Sequence, residues 1–492
     1  MRKRRANSLW QARLGRLFPL EYRWTVLTVT TVGTLMAGLD SRIVIVGLPQ
    51  VAAAMHADAE QAIWFTQAYA LGTTVALLLI GRVTDIYGRV RVYTLGFVGF
   101  TLGSALTSLS QNSAELILFR GIQGFAVAAL FANAAAIITD ATPRNHLGFS
   151  LGINQTAYRF GAMAGLTVSG LILSFYDWRA LFYINIPIGL FGTYWANRRL
   201  KEMAKVEKGV SIDWPGFGLF ATAISTLLLS LTFAAYGEGS TAYVDGLFAA
   251  CVASGGLFVL WETKAEHPLF DLSLLKIPEF AGGVVAQLMN GISWGALLLL
   301  LSLYFQLVKG YSPLQTGIFI LPVDFAFLIT GPATGRLSDR FGRTLFASTG
   351  LAIQGVSFYL FSTIDASTPA ASLAAFMLLF GAGLGMFSTS NVSAVLESVP
   401  PERRGVASGF RSTFIQLGFA VSVNLAIVLM TLVAPYSVVS AVIASTSAAV
   451  SQADRLLFVK GLALAFAWMA VISFAAVVPS SLRSKRVRGA FS

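Results

Sequence analysis

GRVTDIYGRVR, residues 81–91, returns later in the chain as GRLSDRFGR, residues 335–343. The copies align at one constant offset: Gly81 over Gly335, Arg82 over Arg336, Asp85 over Asp339, Gly88 over Gly342 and Arg89 over Arg343. Such agreement of glycine and charge marks an internal repeat, and a repeat constrains architecture before any single side chain is interpreted. Each copy closes an apolar run, so the repeated unit is a loop between two helices of a larger, twice-used unit.

Around these loops the chain is as apolar as lipid. Its 492 residues are 55% hydrophobic and 12% charged, with mean hydropathy +0.70, whereas soluble chains carry about 25% charged residues. Apolar runs of about 20 residues, enough to cross the hydrocarbon core as helix, recur along the chain. Lipid demands that the backbone satisfy its own hydrogen bonds, and runs this continuous exclude the alternating pattern of a barrel. The fold class is therefore an all-α polytopic membrane bundle. Fourteen spans are expected, near 24–48, 61–80, 92–110, 114–139, 148–174, 180–197, 216–236, 244–262, 280–306, 313–334, 346–363, 370–393, 405–432 and 458–480.

An even count places both termini on one side, and the cations say which. Of 35 Lys and Arg, all but eight fall in the tails and the loops on that side. Arg179, Lys309, Arg455 and Lys460 fall on the other side, and Arg42, Arg120, Arg159 and Arg411 lie inside spans. By the positive-inside rule both ends are cytoplasmic, and a cell membrane is the expected location. The net charge of +12 is dispersed over short loops and tails rather than gathered on a soluble domain. That dispersal argues against nucleic acid and for anionic lipid headgroups at the MRKRR and RSKRVRG tails. No small-residue cleavage site follows the first apolar run, so no cleaved signal is expected. A lone cysteine, Cys251, rules out an intrachain disulfide, and His56, His146 and His267 fall in expected loops far apart in sequence. No metal site, cofactor site or nucleophile-base motif is recognisable, which excludes most enzyme classes.

The repeat divides the chain. The expected domains are a basic tail (1–23), a first six-helix bundle (24–200), linkers with an inserted helix pair (201–279), a second six-helix bundle (280–480) and a basic tail (481–492). The polar stretches NRRLKEMAKVEKGVSID and TKAEHPLFDLSLLK flank the inserted pair. Two parallel halves related by an axis along the membrane normal are a transporter architecture, with cargo bound between them near mid-depth.

Several motifs resemble the major facilitator superfamily, and within it the fourteen-helix drug/proton antiporter group. Both repeated loops match its signature between the second and third helices of each half. GLDSRIVIVGLPQ (38–50) is similar to the group's first-helix motif, WFTQAY (64–69) to the start of its second helix and LILFRGIQGFAVAA (116–129) to its fourth-helix arginine motif. DWRALFYINIPIG (177–189) resembles the approach to its sixth helix. The resemblance implies that Gly81, Arg82, Asp85, Gly88 and Arg89, with Gly335, Asp339 and Arg343, form a cytoplasmic latch that opens when the protein faces inward. Read without the family, the same residues are a tight turn with topogenic charge, in which Arg91, Arg336 and Arg340 also take part.

Charges inside spans cost at least a few kcal/mol and are functional candidates by default. Asp40 lies sixteen residues past Trp24, about 24 Å along a helix. It is either a proton carrier or a structural partner for an arginine, since burial raises a carboxyl pKa and a nearby arginine lowers it. Arg42 points about 200° away around the helix and is a poor partner. Arg120 and Arg159 are better placed, and the family associates the fourth-helix arginine with the first-helix acid, favouring Arg120. In the second half Asp324, in LPVDFAFLITGP, and Arg411, in GFRSTFIQLG, lie about 16 Å and 9 Å from one face and are expected to pair, for coupling or simply to fix two helices.

The chain also departs from the group. RFGAMAGLTVSG (159–170) has Leu166 where the group has proline and Ser169 where it has glycine, while Gly161, Gly165 and Gly170 remain for close packing. Arg42 stands where a small hydroxyl residue is usual. Four intramembrane arginines against two aspartates leave a surplus of positive charge, which points to amphipathic cargo that is anionic or neutral rather than cationic. Arg42, Asn154, Tyr158, Asn290, Trp294 and Phe325 are candidate cavity residues, with Tyr304 and Phe305 as further aromatics, although packing is the ordinary fate of such side chains. The expected function is proton-coupled export of small amphipathic compounds by alternating access, by a functional monomer with room for an adaptor protein. The alternative is a proton-coupled or facilitated importer of an organic anion or other metabolite, and a transport-inactive sensor on the same fold is more distant.

Overall fold

The computed structural model describes residues 2–203, 211–236, 241–266, 268–400, 403–444 and 451–482. His267, the middle of the first linker and the RSKRVRG tail lie outside the described residues. The described chain is helical, without strands among those residues. Its first seven helices are α1 (Arg2–Ala54), α2 (Ala59–Tyr87), α3 (Arg89–Leu109), α4 (Ser113–Ala141), α5 (Arg144–Phe175), α6 (Ala180–Tyr183) and α7 (Asn185–Arg199). The inserted pair is α8 (Trp214–Tyr236) and α9 (Thr241–Glu262). A 3₁₀ turn (Leu272–Lys276) leads to α10 (Pro278–Trp294), α11 (Leu297–Leu303), a π turn (Tyr304–Val308), α12 (Pro313–Phe319) and α13 (Pro322–Phe341). The remainder is α14 (Arg343–Phe361), α15 (Ala370–Glu397), α16 (Arg404–Thr431), the short α17 (Tyr436–Ala444) and α18 (Gln452–Ser481).

Thirteen helical stretches among the described residues are long and apolar enough to cross a membrane. The fourteenth expected span, near 180–197, is present as α6 and α7, broken at Ile184. The basic segment before Trp24 is helical and continuous with α1 from Arg2, as its Arg, Leu, Ala and Gln content favours helix. Two expectations change. The span near 313–334 is broken between Phe319 and Pro322. His146 lies in the first turn of α5 rather than in a loop.

Proline explains both breaks. It offers no N–H to the carbonyl four residues back and its ring crowds that carbonyl. Pro187 therefore ends the preceding helix at Tyr183, and Pro322 ends it at Phe319. Each break leaves a helix N-terminus inside the membrane-spanning layer, with a polar residue beside it: Asn185 on α7 and Asp324 on α13.

The repeat in sequence is a repeat in packing. In the first half α1 packs on α5, α2 on α4, and α3 on α4 and α7; in the second, α10 packs on α16, α13 on α15, and α14 on α15 and α18. The repeated loops make the same turn, with Gly88 at φ 95° and Gly342 at φ 106°, a left-handed backbone that glycine adopts without steric penalty. The halves meet where α5 lies on α12 and α2 on α16, and the inserted α8 leans on α16 and α2. Asn424 of α16 pins that insertion, donating at 3.1 Å to the Leu228 carbonyl and to Thr232 Oγ1. The side carrying the Gly88 and Gly342 turns is called the basic face below.

Glycines set how closely these helices approach. A methyl group on Gly161 or Gly165 would run into the Leu35 or Leu39 carbonyl of α1, and one on Gly124 into the Tyr69 carbonyl of α2. The apolar core near the other face crosses between halves, joining Val44, Val46 and Leu48 to Leu299, Leu300 and Leu303. Gln306 Nε2 donates to the Val46 carbonyl at 3.0 Å there.

Candidate functional site

Two ionic clusters occupy the middle of the molecule. The first lies wholly within the first half. Asp40 is fully buried on α1, and its carboxylate accepts from Arg120 Nη1 at 3.0 Å, Gln123 Nε2 at 3.0 Å and Asn185 Nδ2 at 2.7 Å. Arg120 also donates to the Phe65 carbonyl at 3.1 Å and to Gln123 Oε1 at 2.6 Å, and its guanidinium stands 4.2 Å above the Tyr69 ring. Gln123 continues the network to Ser104 Oγ at 2.6 Å. The Pro187 break makes this geometry available, because it brings Asn185 into the layer at the start of α7. Charge-assisted hydrogen bonds of this kind are stronger than neutral ones. Such a pair fixes geometry, and removing one partner leaves a buried charge at a cost of about 3–5 kcal/mol.

The second cluster joins the halves. Asp324 of α13, 1% exposed at its side chain, forms a hydrogen-bonded ion pair with Arg42 of α1, and Arg159 of α5 approaches it at 4.0 Å. One Asp324 oxygen, Oδ2, receives Arg42; the other, Oδ1, is buried without a hydrogen bond. The guanidinium of Arg159 lies 3.8 Å over the Phe327 ring, a second contact between halves. The broken helix puts Asp324 in the first turn of α13, where the helix dipole favours a negative charge.

The expected Asp324–Arg411 pair is not formed. Arg411 has no carboxylate in ion-pair range among the described residues: its Nη1 reaches Gln287 Oε1 at 3.5 Å and its Nε is buried without a partner. Depth along a helix was a poor guide because it ignores direction. α16 packs on α10, α2 and α8, whereas α13 packs on α15 and α14 and touches α5. Arg42, which faces away from Asp40 as its helical position requires, is the residue that meets Asp324.

One arginine of each repeated loop pairs within its own half. Arg89 at the start of α3 bridges Asp140 at the end of α4, and Arg343 at the start of α14 bridges Glu397 at the end of α15 and Asp339 at 2.8 Å. Arg82 Nε also reaches the Ser211 carbonyl at 3.4 Å. Gly81 has open space where a side chain would stand, and Gly335 would meet Thr389.

The candidate cavity residues separate. Asn154 is buried and donates to Thr34 Oγ1 at 2.9 Å, joining α5 to α1; Asn290 donates to Gln354 Oε1 at 2.8 Å, joining α10 to α14. Trp294 is buried edge-on to Phe419 at 4.8 Å, inside the second half. Tyr304 and Phe305 are fully buried, the Tyr304 hydroxyl donating to the Asp365 carbonyl at 2.6 Å. Tyr158 meets Phe131 at 5.4 Å. Phe325 is 58% exposed, on a stripe with Ile329, and takes no part in the ionic cluster; Phe327, two residues on, does. Gln123 and Asn185 escaped the reading of the sequence, although a glutamine three residues after an intramembrane arginine is a visible signal.

This arrangement can be set beside known proteins. The profile of the Major Facilitator Superfamily matches residues 30–423. The chain belongs to the Major Facilitator Superfamily. It is 31% identical over 401 residues to the riboflavin transporter RibZ of Clostridioides difficile (strain 630), covering 82% of this chain and 87% of that one. It is 28% identical to the tetracenomycin C resistance and export protein of Streptomyces glaucescens, over 80% of this chain and 73% of that one. It is 30% identical to the multidrug resistance protein Stp of Mycobacterium tuberculosis (strain CDC 1551 / Oshkosh), over 80% and 74%. In fold it resembles a bacterial homolog of the human lysosomal transporter Spinster, with TM-score 0.65 and 15% identity over 94% of this chain and 97% of that one. As a superfamily member it is a multi-pass membrane transporter of small molecules, and no catalytic family is indicated.

Proposed function

We propose that the protein is a proton-coupled secondary transporter that exports small amphipathic compounds by alternating access, with Asp324 as the coupling acid. The observation that carries this is the ion pair between Arg42 of the first half and Asp324 of the second. A proton on Asp324 cancels the charge that holds the halves together at that depth. The two arginines then face each other without a counterion, and the arrangement seen here loses its principal polar tie. A population shift needs only such a difference in proton affinity between two states.

Direction of opening follows from the packing. The contacts between halves near the other face are dense: α5 on α12, Gln306 on α1 and the shared leucine core. Towards the basic face α4 packs on α1, α2, α3 and α5, and α15 on α10, α13, α14 and α16, each within its half. Gly152 and Gln155 of α5, with Ala333, Arg336 and Leu337 of α13, are exposed there. With the basic face cytoplasmic, as the distribution of Lys and Arg supports, this is an inward-open arrangement.

Asp40 plays a different part. Three donors from its own half surround it, so it orients α1, α4 and α7 as a rigid unit and presents Arg42 to the interface. The likeness to drug-export proteins supports an outward direction. The likeness to a riboflavin transporter supports a second reading, movement of a metabolite. Counterflow in proteoliposomes under an imposed pH gradient decides. Wild type should accumulate cargo against its gradient, and Asp324→Asn should exchange cargo without responding to pH. Gradient-driven accumulation by Asp324→Asn would end the proposal.

A further inference from the structure

The surplus of intramembrane arginines is not spread evenly. Asp40 holds Arg120 and Asp324 holds Arg42 through hydrogen bonds. Arg159 has only the 4.0 Å approach to Asp324 and no hydrogen bond to protein among the described residues. Its side chain is 15% exposed and none of its nitrogens is sealed from solvent. One face of the guanidinium is covered by Phe327, which leaves its N–H edge as donors. The neighbouring charges are few. Of the helices packed on α5, α1 brings Arg42 and Asp40, the latter held by Arg120 of α4, α13 brings Asp324 at this depth, and α12 has no charged residue. Arg42, Asp324 and Arg159 together therefore carry one positive charge.

We propose that Arg159 is the seat of an anionic group on the cargo, and that the preferred cargo is a monoanion with an aromatic or apolar body. One negative charge brings the cluster to neutrality, a second would leave it in excess, and a cation would meet two arginines. The anionic group hydrogen-bonds to the open edge of Arg159, while Asp324 keeps Arg42. Phe327 supplies an apolar wall beside the bound group. This rests on the transport reading above, but it concerns which charge is recognised and not how movement is driven.

Three probes of one shape test it: naphthalene-2-sulfonate, its neutral sulfonamide, and the naphthyl trimethylammonium cation. The sulfonate stays ionised at every usable pH, so cargo protonation does not interfere. Equilibrium dialysis of purified protein in nanodiscs should show the sulfonate bound most tightly. Arg159→Gln should weaken it about tenfold or more, the scale of a lost charged hydrogen bond, with the sulfonamide unaffected. Arg159→Lys should restore part of the loss, and Asp324→Asn should tighten sulfonate binding by removing the competing carboxylate. A purely structural Arg159 would weaken sulfonate and sulfonamide alike, and that result, or unchanged sulfonate binding in Arg159→Gln, overturns the proposal. If Asp324→Asn does not stay monodisperse, the comparison of Arg159→Gln with Arg159→Lys still decides. Preference for the cation overturns the anion seat and leaves transport standing. Sulfonate binding and exchange without gradient-driven flux of any probe overturns the proton-coupled reading and leaves the seat.

Discussion

Asp40 and Asp324 are both buried carboxylates facing arginines, yet their surroundings separate them. Asp40 is saturated by donors of its own half, and Asp324 spans the halves with one oxygen lacking a hydrogen bond. Asp40→Ala should destabilise the folded protein by about 3–5 kcal/mol, because Arg120 is left buried and unpaired; a lowered midpoint in thermal unfolding by detergent-exchange chromatography checks this. Asp324→Asn should keep its fold, since the asparagine still offers Arg42 an oxygen, and lose its response to pH. Both acids and all four arginines were legible in the sequence because charge stands out against lipid-like surroundings. The Asp40–Arg120 contact was legible too, through the fourth-helix motif. The partner of Asp324 was not. Spacing along a helix gives depth, but the direction a side chain faces depends on the break at Pro322, and the true partner, Arg42, lies 282 residues away.

At the scale of elements, the fold rests on glycine at contacts and proline at breaks. Gly161 sits against the Leu35 carbonyl where α5 crosses α1. Gly161→Val should cost about 1–3 kcal/mol from overpacking, seen as a lower unfolding midpoint, and should loosen the arm that carries Arg159. Gly88 and Gly342 hold the left-handed turns at φ 95° and 106°, so an alanine at either should cost about 1–2 kcal/mol and show in the same assay. The repeated loops made this symmetry readable from sequence. The breaks were less so: NIPIG and LPVDF each carry a proline within an apolar run, and hydropathy alone reads straight through them.

The whole molecule is two similarly packed halves, tied near one face by apolar contacts and at mid-depth by Arg42 and Asp324. Span count and division into halves follow from hydropathy and the repeat. How the halves pack against each other does not, because that is a property of contacts between helices far apart in the chain. The central claim is that the charge on Asp324 sets this arrangement, and a distance across the basic face tests it most directly. Gly152 of α5, where an added side chain meets nothing within 4 Å, and exposed Leu337 of α13 can carry spin labels once Cys251 is replaced by serine. Electron double resonance in lipid should report a separation that shortens as pH falls in the wild-type background and is already short at every pH in Asp324→Asn. A wild-type separation indifferent to pH, or an Asp324→Asn variant that keeps the long wild-type distance, would contradict it.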